Sequence, residues 1–212
     1  MTETVTDISG YAYEDGELNP SHDYLVPSLL EILGSLNIQQ DHCRIFELGC
    51  GNGAVAEVLT KQGYQLTGVD VAVQGLEQAH RNHPHLSLHH GSAYDRLADT
   101  YGRFPVVISL EVVEHLYDPR AFARTLFDLV EPSGTAIVST PYHGYWKNLA
   151  LALTGRLDRH FTALWDHGHI KFWSMATLSQ LLLEAGFHSV IFRRVGRVPS
   201  LAKSMIAIAT RP

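Results

Sequence analysis

The sequence predicts an α/β domain: a mostly parallel seven-stranded sheet, helices on both faces, and an antiparallel hairpin at the end. Three observations predict it. From Arg44 onward, short apolar runs alternate with segments of helical periodicity, the pattern of a parallel sheet joined by crossover helices. Val106-Val107-Ile108-Ser109-Leu110 is almost wholly apolar, as a central strand covered on both faces must be. The last two β runs, 188–195 and 203–209, have no helical segment between them, which suits a hairpin.

Taken in order, Pro20-Ser21-His22 opens a helix through Leu36, with Leu25, Leu29, Leu30, Ile32 and Leu33 at helical spacing. Strand 44–48 and helix 54–62 follow, then strand 65–69, helix 73–82, strand 86–90, strand 106–110, helix 118–130 and strand 135–140. Helix 177–185 ends at Gly186, which supplies the left-handed C-terminal stop. Residues 1–19 are polar and acidic and read as a flexible arm interrupted by Tyr11 and Tyr13; residues 20–212 form one domain. The length, 212 residues, suffices for a real core.

Composition narrows the function. The net charge is −6, and Arg193, Arg194 and Arg197 form the sole basic cluster, so no tract exists to neutralise nucleic-acid phosphates. No apolar run approaches the roughly 20 residues of a membrane span, and no signal peptide is visible, so neither stable membrane insertion nor export is expected. Cys43 and Cys50 sit at opposite ends of a strand, on the order of 20 Å apart at about 3.3 Å per residue, too far for a disulfide. A reducing, cytoplasmic setting is the natural reading. Cys50 precedes a helix N-terminus that would lower its pKa; alternatively it is a small filler of the loop.

The chain is organised around Ile45-Phe46-Glu47-Leu48-Gly49-Cys50-Gly51-Asn52-Gly53-Ala54, a strand, a glycine turn and a helix start. Glycines there let a ligand lie against the backbone, and the helix N-terminus presents free N–H groups. Asp70, at the end of the second strand with Val71 beside it, is placed to accept both hydroxyls of a ribose. Gly49-x-Gly51-x-x-Ala54 also fits the dinucleotide fingerprint, so an NAD(P)-dependent oxidoreductase is the enzyme alternative. Gly53 widens that loop, and the charge of Glu47 would oppose a pyrophosphate but suit a cation.

Glu47-Leu48-Gly49-Cys50-Gly51-Asn52-Gly53 resembles motif I of the class I S-adenosylmethionine (SAM) methyltransferases, whose fold is Rossmann-like. SAM is a sulfonium cation with an ammonium group and no phosphate. Ser109-Leu110-Glu111-Val112-Val113-Glu114-His115-Leu116 resembles the segment after strand four in ubiquinone-biosynthesis O-methyltransferases. The resemblance covers about Arg44 to Gly186. It implies a cofactor site of Glu47, Gly49, Cys50, Gly51, Asn52, Gly53, Asp70, Val71, Ser92, Ala93, Leu110 and Glu111. Ser92 stands where relatives usually carry an acidic adenine ligand; Asp95 is a substitute. His22 and Tyr24, on a helix that often covers this site, are further candidates for contact.

The implied reaction is methyl transfer to a small-molecule acceptor, most directly a phenol- or catechol-like oxygen. The other alternative is a SAM-binding regulator or partner subunit without catalysis. If the turn after strand four is helical, Glu111, Glu114 and His115 share one face. They would then hold a divalent cation, Mg²⁺ or Zn²⁺, as the resemblance also implies. Without metal, His115 serves as general base with Glu111 or Glu114 orienting it; as a third reading, Glu114 and His115 simply anchor the loop. The connection 141–173 holds all three tryptophans and several histidines. It reads as a substrate-facing insertion closed by a short helix near 147–153, its pocket lined by His143, Trp146, Trp165, His167, His169 and Trp173. The opposing reading is a lid packed on itself.

Overall fold

In the computed structural model, residues 17–36, 43–161, 163–164 and 168–212 are described; Tyr11, Tyr13 and most of the expected arm lie outside them, as do Trp165 and His167. Helix α1 (His22–Ser35) leads into β1 (Arg44–Leu48), α2 (Ala54–Lys61), β2 (Gln65–Asp70), α3 (Val73–Asn82) and β3 (Ser87–His90). Then come α4 (Leu97–Tyr101), β4 (Phe104–Leu110), a single 3₁₀ turn (Val113–His115), α5 (Pro119–Leu129) and β5 (Val130–Pro141). The chain ends with α6 (Tyr145–Leu153), α7 (Leu157–His160), α8 (Met175–Ala185), β6 (Ser189–Val195), a second 3₁₀ turn (Pro199–Leu201) and β7 (Ser204–Thr210).

The strands form one sheet in the order β3-β2-β1-β4-β5-β7-β6. β1 to β5 run parallel, and β7 is antiparallel to both β5 and β6, the expected terminal hairpin. Sequence order reverses between β1 and β4, so the carboxyl ends of these two strands open onto the crevice where such sheets take ligands.

Alternation along the strands supplies two cores. Ile45, Val106, Ile108, Ile137 and Ile208 face α1, α2 and α3, meeting Leu25, Leu29, Leu59 and Leu76. Phe46, Leu48, Val107 and Val138 face the other way, onto Phe122 and Leu126 of α5 and Leu178 and Leu182 of α8. Phe104 and Val107 share that second core although they are three residues apart; the register slips between Phe104 and Val106, which returns Phe104 to that face. Asp118 caps α5 by accepting from Ala121 N, with Pro119 at the first helical position. Ser174 and Thr177 form a capping box on α8, and Gly186 stops it at φ +117°. The described residues contain no helix long and apolar enough to cross a membrane.

Candidate active site

The glycine loop turns at φ values that favour glycine: +91° at Gly49, +50° at Gly51 and +77° at Gly53. The N–H groups of Gly49 and Cys50 both donate to Val69 O, at 2.8 and 3.0 Å, fixing the loop over the end of β2. Gly51 N donates to Asp70 Oδ2 at 2.8 Å and Ala72 N to Oδ1 at 2.7 Å. Asp70 therefore shapes the loop. Asn52 Oδ1 accepts from Ala54 N at the start of α2, while its amide donates to Glu17 O at 3.1 Å.

Glu47 is 2% exposed, and its Oε2 has no hydrogen-bond partner among the described residues. Burial, with the charge of Asp70 second, raises its pKa well above the usual carboxylate range. A buried carboxylate oxygen left unmatched beside a second carboxylate is a cradle for a cation. Cys50 is a filler: it is buried and free, and a Cβ on Gly68 would lie 2.8 Å from its Cβ. Burial and then Asp70 and Glu47 push its thiol pKa well up, the reverse of activation by the helix. Ser92 and Ala93 sit half-buried past β3 with Val71 across from them past β2. Ser92 N donates to Asp95 Oδ2 at 2.7 Å and Ser92 Oγ accepts from Tyr94 N at 3.2 Å, so Asp95 closes this turn.

At the end of β4, Leu110 is buried and Glu111 takes a left-handed conformation, φ +56°. That reversal puts Glu111 outside the 3₁₀ turn, so the expected common face of Glu111, Glu114 and His115 does not form. Ser139 Oγ donates to Glu111 Oε1 at 2.8 Å and Ser204 Oγ to Oε2 at 3.4 Å; the hydroxyls of Ser204 and Tyr24 share a bond of 3.3 Å. Desolvation raises the Glu111 pKa to about 7, against the lowering effect of Ser139, Ser204 and Lys147.

The structure brings together Glu114, His115 and His169, whose ligand atoms all lie within 4.8 Å of one another. Glu114 is 1% exposed and neither carboxylate oxygen has a hydrogen-bond partner among the described residues. The Thr140 hydroxyl lies beside it outside hydrogen-bonding geometry. Burial, then the charge of Glu111, raises the Glu114 pKa well above its usual value. His115 Nδ1 lies 3.3 Å from Gly168 O. A carbonyl only accepts, so Nδ1 carries the proton and Nε2 the lone pair. His169 packs edge-on against His115 with centroids 4.9 Å apart, and burial lowers its pKa to about 4.

One contact ties the two ends together: a Cβ on Gly49 would meet Val112 Cγ2 at 2.4 Å. The glycine loop thus rests directly on the segment that carries Glu111 and Glu114. Against this geometry, a family profile described as "Methyltransferase domain" matches residues 21–190. The chain belongs to that family. The class I SAM methyltransferase resemblance is borne out, and the NAD(P) oxidoreductase alternative is set aside by the same match.

Among relatives, the ubiquinone biosynthesis O-methyltransferase of Azorhizobium caulinodans is 37% identical over 153 residues, 68% of this chain and 58% of that protein. The enzyme of the same name from Rhodopseudomonas palustris strain TIE-1 is 32% identical over 146 residues, 66% of this chain and 56% of its own. The chain thus spans well under two thirds of the length of these relatives. In fold it is similar to the methyltransferase domain of bacterial CtHen1, TM-score 0.66 at 24% identity, covering 91% of this chain and all of that one. It is also similar to magnesium protoporphyrin IX methyltransferase from Synechocystis PCC 6803 with bound SAH, TM-score 0.65 at 17% identity over 89% of this chain and 82% of that one.

In this methyltransferase domain the insertion after β5 is stitched to the 3₁₀ turn. Ile170 N and Lys171 N both donate to Glu114 O at 2.9 Å, and Trp173 Nε1 donates to Val113 O at 3.4 Å. Trp173 is therefore a buried buttress, 8% exposed, rather than a pocket wall. Trp146 is 64% exposed and turned to solvent, and α6 buries none of its residues. His143 stacks on Phe161 at 5.7 Å and meets Phe172 edge-on at 5.1 Å. Three features escaped the sequence: His169 as third member of the cluster, the serines on Glu111, and His160 beside His143. His169 carried a signal, as a histidine of His167-Gly168-His169, but its partners lie more than fifty positions upstream.

Proposed function

We propose that this chain transfers the methyl group of SAM to a hydroxyl oxygen of a small-molecule acceptor. The observation that carries the reading is the Glu114–His115–His169 cluster at the end of β4, coupled to the glycine loop through Val112 and Gly49. The relatives named as O-methyltransferases support oxygen as the acceptor atom. In the cofactor site, Gly49, Gly51 and Gly53 offer backbone, Asp70 the ribose carboxylate, Ser92 and Ala93 the adenine edge, and Glu47 charge balance for the cationic end. SAM fits that donor set because Glu47 Oε2 is buried and unmatched.

The acceptor oxygen attacks the methyl carbon as the carbon–sulfur bond breaks, giving methylated product, S-adenosylhomocysteine (SAH) and a proton. Alignment of oxygen, carbon and sulfur supplies on the order of 7–11 kcal/mol of such a barrier. His115, whose Nδ1 donates to Gly168 O, takes the proton at Nε2. Glu114, His115 and His169 also fit a divalent cation: two imidazoles and a carboxylate whose buried oxygens lack partners suit Zn²⁺-like ions. Such an ion, when bound, lowers the pKa of an acceptor hydroxyl. Calorimetric titration with SAM, followed by a screen of phenolic acceptors read by SAH release, tests the reading. SAM binding with no SAH release from any acceptor would favour the non-catalytic regulator.

A further inference from the structure

Outside the cluster just described, the insertion holds a second set of polar groups around Lys147, His143 and His160. Lys147 Nζ donates to the carbonyl of Tyr142, the residue before His143, at 2.9 Å and to Lys203 O at 3.5 Å. An ammonium has three protons, so one donor remains. The rings of His143 and His160 lie 5.5 Å apart. Phe161 stacks on His143, and Phe172 meets both His143 and Phe161 edge-on. His143 Nδ1 and His160 Nε2 are both buried, and neither has a hydrogen-bond partner among the described residues.

Buried polar atoms are almost always paired, so two orphans in one aromatic nest call for a ligand. Burial holds both imidazoles neutral: the His143 pKa falls to about 4 and that of His160 falls too, with the charge of Lys147 contributing to each. A neutral imidazole places its one proton on either nitrogen. Two imidazole N–H groups and the remaining ammonium proton can therefore turn to one ligand in an aromatic-walled space. Arg197 adds positive charge around Lys147, against the opposing carboxyl of Glu111. In a chain of net charge −6 this is a local positive field that favours an anion.

We propose that Lys147, His143 and His160 bind the carboxylate of an aromatic ligand, the anionic group of the methyl acceptor. The proposal rests on the acceptor lying on the insertion side of the site. Imidazole NMR on the full chain with SAH bound tests it, using benzoate, its neutral isostere benzamide and inorganic phosphate as probes. His143→Phe and His160→Phe assign the two ring signals. Benzoate shifts both signals at a concentration at least tenfold below that of benzamide. Lys147→Met removes that preference and Lys147→Arg keeps it; where Lys147→Met does not fold, loss of the preference in His160→Phe, which retains the ring packing, gives the same reading. Equal titration by benzoate and benzamide overturns the proposal, and so does saturation by phosphate as easily as by benzoate. SAH affinity, measured separately by calorimetry, is unchanged in every variant; failure of the unaltered protein to bind SAH would overturn the methyltransferase reading, while the benzoate comparison still decides this one.

Discussion

The backbone carbonyl of Glu114 accepts the N–H of Ile170 at 2.9 Å, and this bond carries the neighbouring His169 to the end of β4. Lys171 N reaches the same oxygen, and the Trp173 indole holds Val113 O one residue upstream. The cluster is thus assembled by main-chain bonds between two segments far apart in sequence. Removing the indole donor should loosen it without emptying the cofactor site. Trp173→Phe is expected to keep SAM affinity and to lower turnover about tenfold, a loss of roughly one neutral hydrogen bond. Calorimetry and single-turnover rates check this; equal loss of SAM binding would show that Trp173 supports the whole sheet end instead.

Gly49 of the glycine loop and Gly102 after α4 both take positive φ and can be compared. At Gly49 a Cβ would sit 2.4 Å from Val112 Cγ2, whereas at Gly102, φ +77°, nothing lies within 4 Å. Gly102→Ala should cost only the backbone strain, on the order of 1–3 kcal/mol, because ψ −158° with φ +77° is a conformation kept almost wholly to glycine. Gly49→Ala adds a collision with the segment bearing Glu111 and should abolish measurable SAM binding. Thermal melts and calorimetry on the pair separate strain from crowding.

Asp70 accepts from Gly51 N and Ala72 N and is the proposed ribose ligand. Asp70→Ala should weaken SAM by about 1.5–3 kcal/mol, the range for hydrogen bonds to a charged group, or about 10- to 150-fold in Kd. Asp70→Asn keeps one carbonyl acceptor and should fall between. Titration calorimetry ranks the three proteins, and an unchanged Kd in Asp70→Ala would remove it from the site.

Much of this was legible in local sequence. Strand β1 and helix α3 coincide with the expected spans, because apolar runs and glycine punctuation act within a few residues. Helix α4 was not anticipated, since five residues are too few to show a period of 3.6. β5 begins at Val130 rather than 135, because its pairing with β4 is set by a partner strand and not by local pattern. At the site, Glu47, the glycines and Asp70 were read from the local motif and its resemblance to motif I of the SAM methyltransferases. Glu111 was misplaced because a non-glycine φ of +56° leaves no mark on sequence periodicity. His169 was assigned to the pocket and not to the cluster, because only main-chain bonds to Glu114 bring it there.

Glu111 and the lid histidines should shape stability against pH in opposite directions. Folded Glu111 titrates at about 7, above the ordinary value of 4.5, so between those pH values the folded state binds more protons than the unfolded. Stability from this group is then present at low pH and lost as pH rises toward 7, by on the order of 3 kcal/mol. His143 and His169, lowered to about 4 from 6.5, stay neutral when folded, so their effect is a loss as pH falls below 6.5. Glu111→Gln should therefore gain stability relative to the parent between pH 5 and pH 8. Urea denaturation at both pH values measures the difference; a constant offset would mean that Glu111 is not desolvated.

Metal dependence separates the two chemical roles of the cluster. If a divalent cation is held by Glu114, His115 and His169, prolonged EDTA treatment should abolish turnover and Zn²⁺ or Mg²⁺ should restore it. His169→Ala should then raise the ion concentration needed for half-maximal rate, since one of three ligands is gone. If His115 acts alone as base, EDTA has no effect and His169→Ala is mild. His115→Ala lowers turnover by about 10²–10⁴-fold in either case, because the imidazole is a ligand in one and the proton acceptor in the other. Folded His115→Ala protein that binds SAM and turns over at the parental rate would leave only the anchoring role, to which the Nδ1–Gly168 bond and the packing on His169 contribute.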